Sequence, residues 1–221
     1  MISSKYIISL LLLLIILYII IYHLIHLTHL IHLTHLIHFI TRKSEYVSIP
    51  TNIIILQNVK KIIYENIHNY YDFTLIDFGC GDGQFIKSMK DDFNHIIGVE
   101  KEHKSYLNSI KNCEYEDNIS IINISMEDFT FPNTKTILYM YEPLFLIKDR
   151  DIINNIYNKV INNYKNQGSC KKYILYVKTV KMKMKNFNTE DIILTHNFVL
   201  QEKIKSSLNP LSNEISLYEL K

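Results

Sequence analysis

The sequence predicts an α/β domain, a parallel sheet flanked by helices, preceded by one N-terminal transmembrane helix. Three observations predict it. The run Leu75–Ile86 reads as a buried strand, a glycine-rich turn and the start of a helix. Apolar strand-length and helix-length segments then follow one another to the C-terminus. Finally, residues 6–41 contain no Asp, Glu, Lys or Arg.

The glycine run carries the most chemistry. Apolar Leu75 and Ile76 lead into Asp77; Gly79, Gly81 and Gly83 follow at every second position, and Phe85, Ile86 and Met89 continue at helical spacing. Glycine is needed where the backbone takes positive φ or where something approaches the main chain closely. A strand, such a turn and a helix N-terminus together make a nucleotide cradle. His95–Val99 reads as a second strand ending in Glu100, where an acid can accept hydrogen bonds from both ribose hydroxyls of a nucleoside. The pattern is Asp-x-Gly-x-Gly-x-Gly and not Gly-x-Gly-x-x-Gly. A carboxylate at Asp77 is badly placed beside a pyrophosphate but well placed near the cationic end of S-adenosylmethionine.

This run resembles the first motif of the class I S-adenosylmethionine-dependent methyltransferases, and the resemblance extends from about Tyr71 to the C-terminus. It implies a Rossmann-like seven-stranded methyltransferase sheet and S-adenosyl-L-methionine as cofactor. Its cofactor-binding residues are then Asp77, Gly79, Gly81, Gly83 and Glu100, with Met126 against the adenine ring and Asp128 at the adenine amino group; Glu127 is the alternative acid. Ile119–Ile124 reads as the third strand and Thr136–Tyr141 as the fourth, ending in Tyr141-Glu142-Pro143-Leu144. Many family members carry Asn-Pro-Pro-Tyr or Asn-Pro-Phe there, at the mouth of the catalytic pocket. Glu142 stands in place of the asparagine, so the amide-methylating mechanism does not carry over. The catalytic candidates are Glu142, to attract and orient an acceptor ammonium, Tyr141 to line the channel and Pro143 to fix the loop. Tyr139 shares a strand face with Tyr141, as core or as pocket.

The remaining elements fit the same plan. Ile152, Ile153, Ile156, Val160 and Ile161 mark a helix over Asp151–Ile161. Tyr173–Val180 reads as a fifth strand, and the resemblance implies that Phe198–Ile204 and Glu214–Leu220 are the closing antiparallel pair typical of the family. Upstream, Ile54, Ile55, Val59, Ile62 and Ile63 describe an amphipathic helix capped near Thr51. The organisation is thus an anchor over residues 1–41, a linker with this helix over 42–70, and a cofactor-binding domain over 71–221. An apolar segment, a helix and then this glycine motif is similar to the mitochondrial membrane-tethered lysine methyltransferases. Gly98-Val99-Glu100-Lys101 is likewise similar to the non-SET histone lysine methyltransferases. Both resemblances imply a protein lysine as acceptor. RNA, a small molecule or a lipid are the alternative acceptors, and a cofactor-binding scaffold without catalysis is the alternative class.

The N-terminus predicts the partner. A helix over residues 6–27 is about 33 Å long, enough to cross a bilayer core of about 30 Å. A cleaved signal peptide needs a small-residue cleavage site, and the chain contains no alanine. The expectation is a single-pass membrane protein whose C-terminal domain lies in the cytosol, where S-adenosylmethionine is found. Between anchor and linker, six histidines from His23 to His38 recur at every third position. They read as a low-complexity extension of the helix; the same spacing also admits a pairwise metal contact or a pH-dependent hold on the membrane. No metal site is expected in the domain. Net charge of +2 removes any global argument for nucleic acid. Lys178, Lys181, Lys183 and Lys185 read as a solvated face or a phosphate contact. Cys80, Cys113 and Cys170 are widely spaced, which fits a reducing compartment with neither a disulfide framework nor a CxxC site.

Overall fold

The computed structural model describes Tyr22 and residues 52–144, 147, 149–179, 189–207 and 212–221. The rest of the 6–27 segment, the histidine repeat, residues 46–51 and Lys181, Lys183 and Lys185 lie outside these. The chain divides into two units, Met1–Tyr46 and Val47–Lys221, and every element below belongs to the second. Among the described residues, no helix is long and apolar enough to cross a membrane.

The elements run α1 (Ile53–Asn66), β1 (Thr74–Phe78), α2 (Gln84–Ser88), β2 (His95–Val99), α3 (His103–Asn112), β3 (Ile119–Ile122), β4 (Thr136–Tyr141), α4 (Arg150–Asn166), β5 (Lys172–Thr179), α5 (Thr189–Thr195), β6 (Phe198–Ser207) and β7 (Ser212–Leu220). All seven strands form one sheet in the order β3-β2-β1-β4-β5-β7-β6. Strands β1 to β5 pair in parallel, and β7 lies antiparallel to both β5 and β6. The expected closing pair is therefore present, with β6 running on to Ser207 and β7 beginning at Ser212.

The central strands are buried from end to end because helices cover both faces. On one face, Ile55, Val59, Ile62 and Ile63 of α1 and Phe85 and Ile86 of α2 pack against Leu75, Ile137, Tyr139 and Leu175. On the other, Ile153, Tyr157, Val160, Ile161 and Tyr164 of α4 pack against Ile76, Phe78, Leu138 and Tyr176. Spacings of three and four residues bring each set to one side of its helix.

Caps account for where the helices begin. Asn52 Oδ1 accepts the Ile54 N–H at 2.9 Å, so α1 starts one residue beyond the expected cap. Asp149 Oδ1 accepts the Asp151 and Ile152 N–H groups at 2.9 and 3.2 Å. That cap starts α4 at Arg150, and the buried Tyr164 carries it past the expected end at Ile161. β3 stops at Ile122, two residues early, because Asn123 turns the chain: its Nδ2 donates to the Glu100 and Lys101 carbonyls at 2.8 and 3.1 Å.

The strand order reverses at β1, which has β2 on one side and β4 on the other. In parallel α/β sheets the crevice at such a switch point, beyond the carboxyl ends of the strands, is where ligands bind. Phe78 is in register with Val99 of β2 and Met140 of β4. The glycine turn, Glu100 and Glu142 therefore leave the same edge of the sheet.

Candidate functional site

The glycine turn is built from left-handed backbone. Gly79, Gly81 and Gly83 have φ of +77°, +57° and +80°, a region that side chains with a Cβ avoid. The Gly79 and Cys80 N–H groups donate to the Val99 carbonyl at 2.8 and 3.3 Å, folding the turn back over the end of β2. Gly98 is needed for a different reason. A Cβ there would lie 2.8 Å from Cys80 Sγ, so only glycine lets the turn settle this closely on β2.

Two carboxylates define the floor. Asp77, 3 % exposed, is the only charged residue of β1. Burial first, and the negative charge of Glu100 second, push its pKa well above the usual carboxylate range, and no hydrogen bond among the described residues offsets them. Glu100, 8 % exposed, is anchored by backbone. Its Oε2 accepts the Gly81 N–H at 3.0 Å and its Oε1 the Glu102 N–H at 2.7 Å. Burial still raises the Glu100 pKa, with those amides pulling it down. Each carboxylate oxygen has two acceptor lone pairs, so this anchoring leaves one on each for a ligand hydroxyl. Glu100 is no helix cap; that part falls to Glu102, whose side chain accepts the Lys104 and Ser105 N–H groups at 3.0 and 2.6 Å.

Met126 and Asp128 lie on a 3-10 turn over Met126–Asp128, opened by Ser125, which also bonds Glu127. Met126 is half-buried against the core. Asp128 faces solvent, with its side chain 71 % exposed and its Oδ1 3.9 Å from Lys159 Nζ of α4.

The end of β4 is organised differently. Glu142 has φ of +39°, a left-handed conformation for a residue with a long side chain. Such a residue carries strain of about 1–3 kcal/mol, so the surroundings must hold it there. Pro143 supplies one restraint. It packs on the glycine turn so closely that a Cβ on Gly79 would sit 3.0 Å from Pro143 Cβ. The glycine turn and the Tyr141–Pro143 segment are thus in direct contact. Glu142 Oε2 is buried and has no hydrogen-bond partner among the described residues. Burial raises the Glu142 pKa, while the Thr179 amide and hydroxyl and the Lys178 charge lower it. Burial also raises the Tyr141 pKa. Tyr139, by contrast, is core, stacked on Phe85 with ring centroids 3.9 Å apart.

Of the residues singled out from the sequence, Asp77, Gly79, Gly81, Gly83 and Glu100 come together at the switch point, with Pro143 against them and Glu142 beside Pro143. Met126 and Asp128 stand on a separate turn after β3. Thr179 and Asn213, paired beside Glu142, carried no local sequence signal. Glu102 had one, an acid three residues before Ser105 at a helix start, as an N-cap requires.

No family model matches the chain, and no curated protein matches it in sequence. Solved structures do match in fold. The N-methyltransferase NodS of Bradyrhizobium japonicum superposes with a TM-score of 0.59 at 7 % identity, over 74 % of this chain and 94 % of that one. The magnesium protoporphyrin IX methyltransferase ChlM of Synechocystis, solved with bound S-adenosylmethionine, gives 0.60 at 10 % identity, over 80 % and 88 %. A putative RNA methyltransferase of Pyrococcus horikoshii gives 0.56 at 14 % identity, over 75 % and 81 %. The fold is that of the class I S-adenosylmethionine-dependent methyltransferases, with every expected strand in its place.

Proposed function

We propose that this chain is an S-adenosylmethionine-dependent methyltransferase, anchored to a membrane by residues 6–27, that methylates an amine, a protein lysine near that membrane. The observation that carries the reading is the buried Asp77–Glu100 pair around the left-handed glycine turn. A buried acid with no offsetting hydrogen bond asks for a positive group, which the amino-acid end of this cofactor has. Glu100 keeps free lone pairs for ribose hydroxyls. The residues present fit the cofactor. Asp77 and the Gly79–Gly83 turn would hold its amino-acid portion, Glu100 its ribose, and Met126 and Asp128 its adenine.

When bound, the cofactor supplies a methyl group on a sulfonium, an electrophilic carbon with a good leaving group behind it. The chain's own residues must align the acceptor, free its lone pair and exclude water. An acceptor amine arrives protonated, and its N–H groups would partner the buried Glu142 Oε2. Glu142 then takes one proton, leaving a nitrogen lone pair for attack. The raised Glu142 pKa brings donor and acceptor closer in proton affinity, which makes that transfer less uphill. Tyr141 lines the channel, and Pro143 sets its distance from the glycine turn. The acceptor class rests on Glu142, since the matching structures carry names with different acceptors.

Calorimetric titration of S-adenosylmethionine should give micromolar binding that Gly81→Arg abolishes; no binding by folded protein would overturn the cofactor assignment. Transfer of labelled methyl to lysine should fall by about 10²–10⁴-fold in Glu142→Gln, with cofactor affinity unchanged. Full activity in that variant would remove Glu142 from the chemistry. Alkaline carbonate extraction should leave the chain in the membrane pellet, and protease added to sealed vesicles should reveal the domain on the cytosolic face. Recovery in the supernatant would overturn the anchor.

A further inference from the structure

Beside the end of β4 that carries Glu142 lies a buried polar pair that the chemistry above does not use. Thr179 ends β5 and Asn213 lies opposite it on β7, in register. They are 3 % and 2 % exposed, among neighbours such as Val177, Ile215 and Leu217 that are wholly apolar. Thr179 Oγ1 donates to Asn213 Oδ1 at 3.2 Å. A buried hydroxyl–amide pair at a sheet position flanked by aliphatic residues costs desolvation that an aliphatic pair would not. Its neighbour supplies a reason for it. Tyr141 is in register with Val177 on the parallel neighbour β5, so Glu142 and Thr179 leave the same end of adjacent strands, where the Thr179 amide and hydroxyl lower the Glu142 pKa and the hydroxyl that of Tyr141.

One hydroxyl has one proton to donate. It can go to Asn213 Oδ1, as found here, or to the Glu142 carboxylate, but not to both. An ionised Glu142 attracts it, because a charge-assisted bond is the stronger. A protonated Glu142 no longer needs it and releases it to Asn213. We propose that Thr179 and Asn213 are positioning residues for Glu142, a buried pair that orients its carboxylate and passes one hydrogen bond between Glu142 and Asn213 as the acid gains and loses its proton. The amine's proton thus arrives on Glu142 while the Thr179 proton swings to Asn213. No net proton crosses the pair, and no other reactant is required.

The other titratable groups around Glu142 do not replace this device. Lys178 of β5 contributes a fixed positive charge. Tyr141 of β4, Tyr157 of α4 and Tyr176 of β5 are all shifted upward by burial, and stay neutral across the working range. Glu214 of β7, next to Asn213, is engaged by Lys203 and Lys205 of β6.

The proposal rests on the acceptor reading of Glu142, yet its test needs no acceptor. The Glu142 carboxyl carbon is followed by NMR through a pH titration of the full chain carrying 13C-labelled glutamate, assigned by the signal that Glu142→Gln removes. Thr179→Val deletes the donor and should move the midpoint up by about half a pH unit or more; Asn213→Leu deletes the competing acceptor and should move it down by a similar amount. Thr179→Ser keeps the hydroxyl and should restore the wild-type midpoint. Should either large change unfold the protein, Thr179→Cys and Asn213→Ser ask the same question by direction alone. Shifts of one sign in both variants, or none in either, overturn the pair. Opposite shifts in a chain that transfers no methyl group would keep the pair and sink the acceptor reading instead.

Discussion

The two sides of the switch point close their strand ends by different means. On the β1–β2 side the acid is held by backbone: Glu100 accepts the Gly81 and Glu102 amides, and the turn itself bonds the Val99 carbonyl. On the β4–β5 side the acid stands beside residues from other strands, the amide and hydroxyl of Thr179 with Asn213 behind them, and Pro143 packs on Gly79. The first set of contacts is local in sequence, within one strand–turn–helix–strand segment. The second depends on residues brought from β5 and β7. The first arrangement suits the proposed cofactor, and the second the proposed acceptor.

Glu100→Ala should separate the sides most clearly. It removes two backbone anchors and the proposed ribose contacts, and charged hydrogen bonds contribute about 1.5–3 kcal/mol each. Cofactor affinity measured by calorimetry should therefore fall by about 100-fold or more. The Glu142 midpoint should not move, and a moved midpoint would break the separation.

Gly79→Ala tests the one contact that joins the two sides. The added Cβ meets Pro143 at 3.0 Å on backbone of φ +77°. Cofactor affinity and turnover should each drop by about tenfold, in line with strain of about 1–3 kcal/mol. Loss of affinity alone would show that Pro143 yields without disturbing Glu142.

Asp77→Asn sets stability against binding. A carboxyl whose folded pKa is raised favours the folded state below the ordinary carboxylate range. That contribution is lost as pH rises through the raised value. Above it the ionised acid strains the cofactor-free protein, so the melting temperature of the asparagine variant should gain on that of the wild type as pH rises. The same variant should bind cofactor about tenfold more weakly, having lost the partner of its cation. Equal melting temperatures would mean that Asp77 is already stabilised without ligand.

Asp128→Asn should have the smallest effect. An exposed pair 3.9 Å apart contributes at most about 0.5 kcal/mol to stability. A loss of cofactor affinity of about threefold would connect this turn to the adenine; unchanged affinity would leave the Glu127 alternative in its place.

Much of the β1–β2 side was legible in the sequence. Asp77, the three glycines and Glu100 lie within one strand–turn–helix–strand segment, and the conformations they need are written into the residue types: positive φ for glycine, a buried acid at a strand end. Apolar segments likewise placed the first five strands, and the resemblance the closing pair. Strand and helix limits moved by a few residues where caps intervened, as at Asn52, Asp149 and Asn123. The acceptor side was legible only as far as Glu142 and Pro143. Nothing local to Thr179 or Asn213 marks them, since one is the last residue of β5 and the other the second of β7.

The sequence by itself determined the order of elements, the glycine turn and the acids of the cofactor side, because these depend on contacts along the chain. Tertiary structure decided which residues meet Glu142, that Tyr139 is core, that Gly79 bears Pro143 and that Gly98 bears Cys80. Those facts follow from strand register across the sheet. Parallel and antiparallel neighbours bring together residues far apart in the chain, and no periodicity in one segment specifies the side chain that will face it from another.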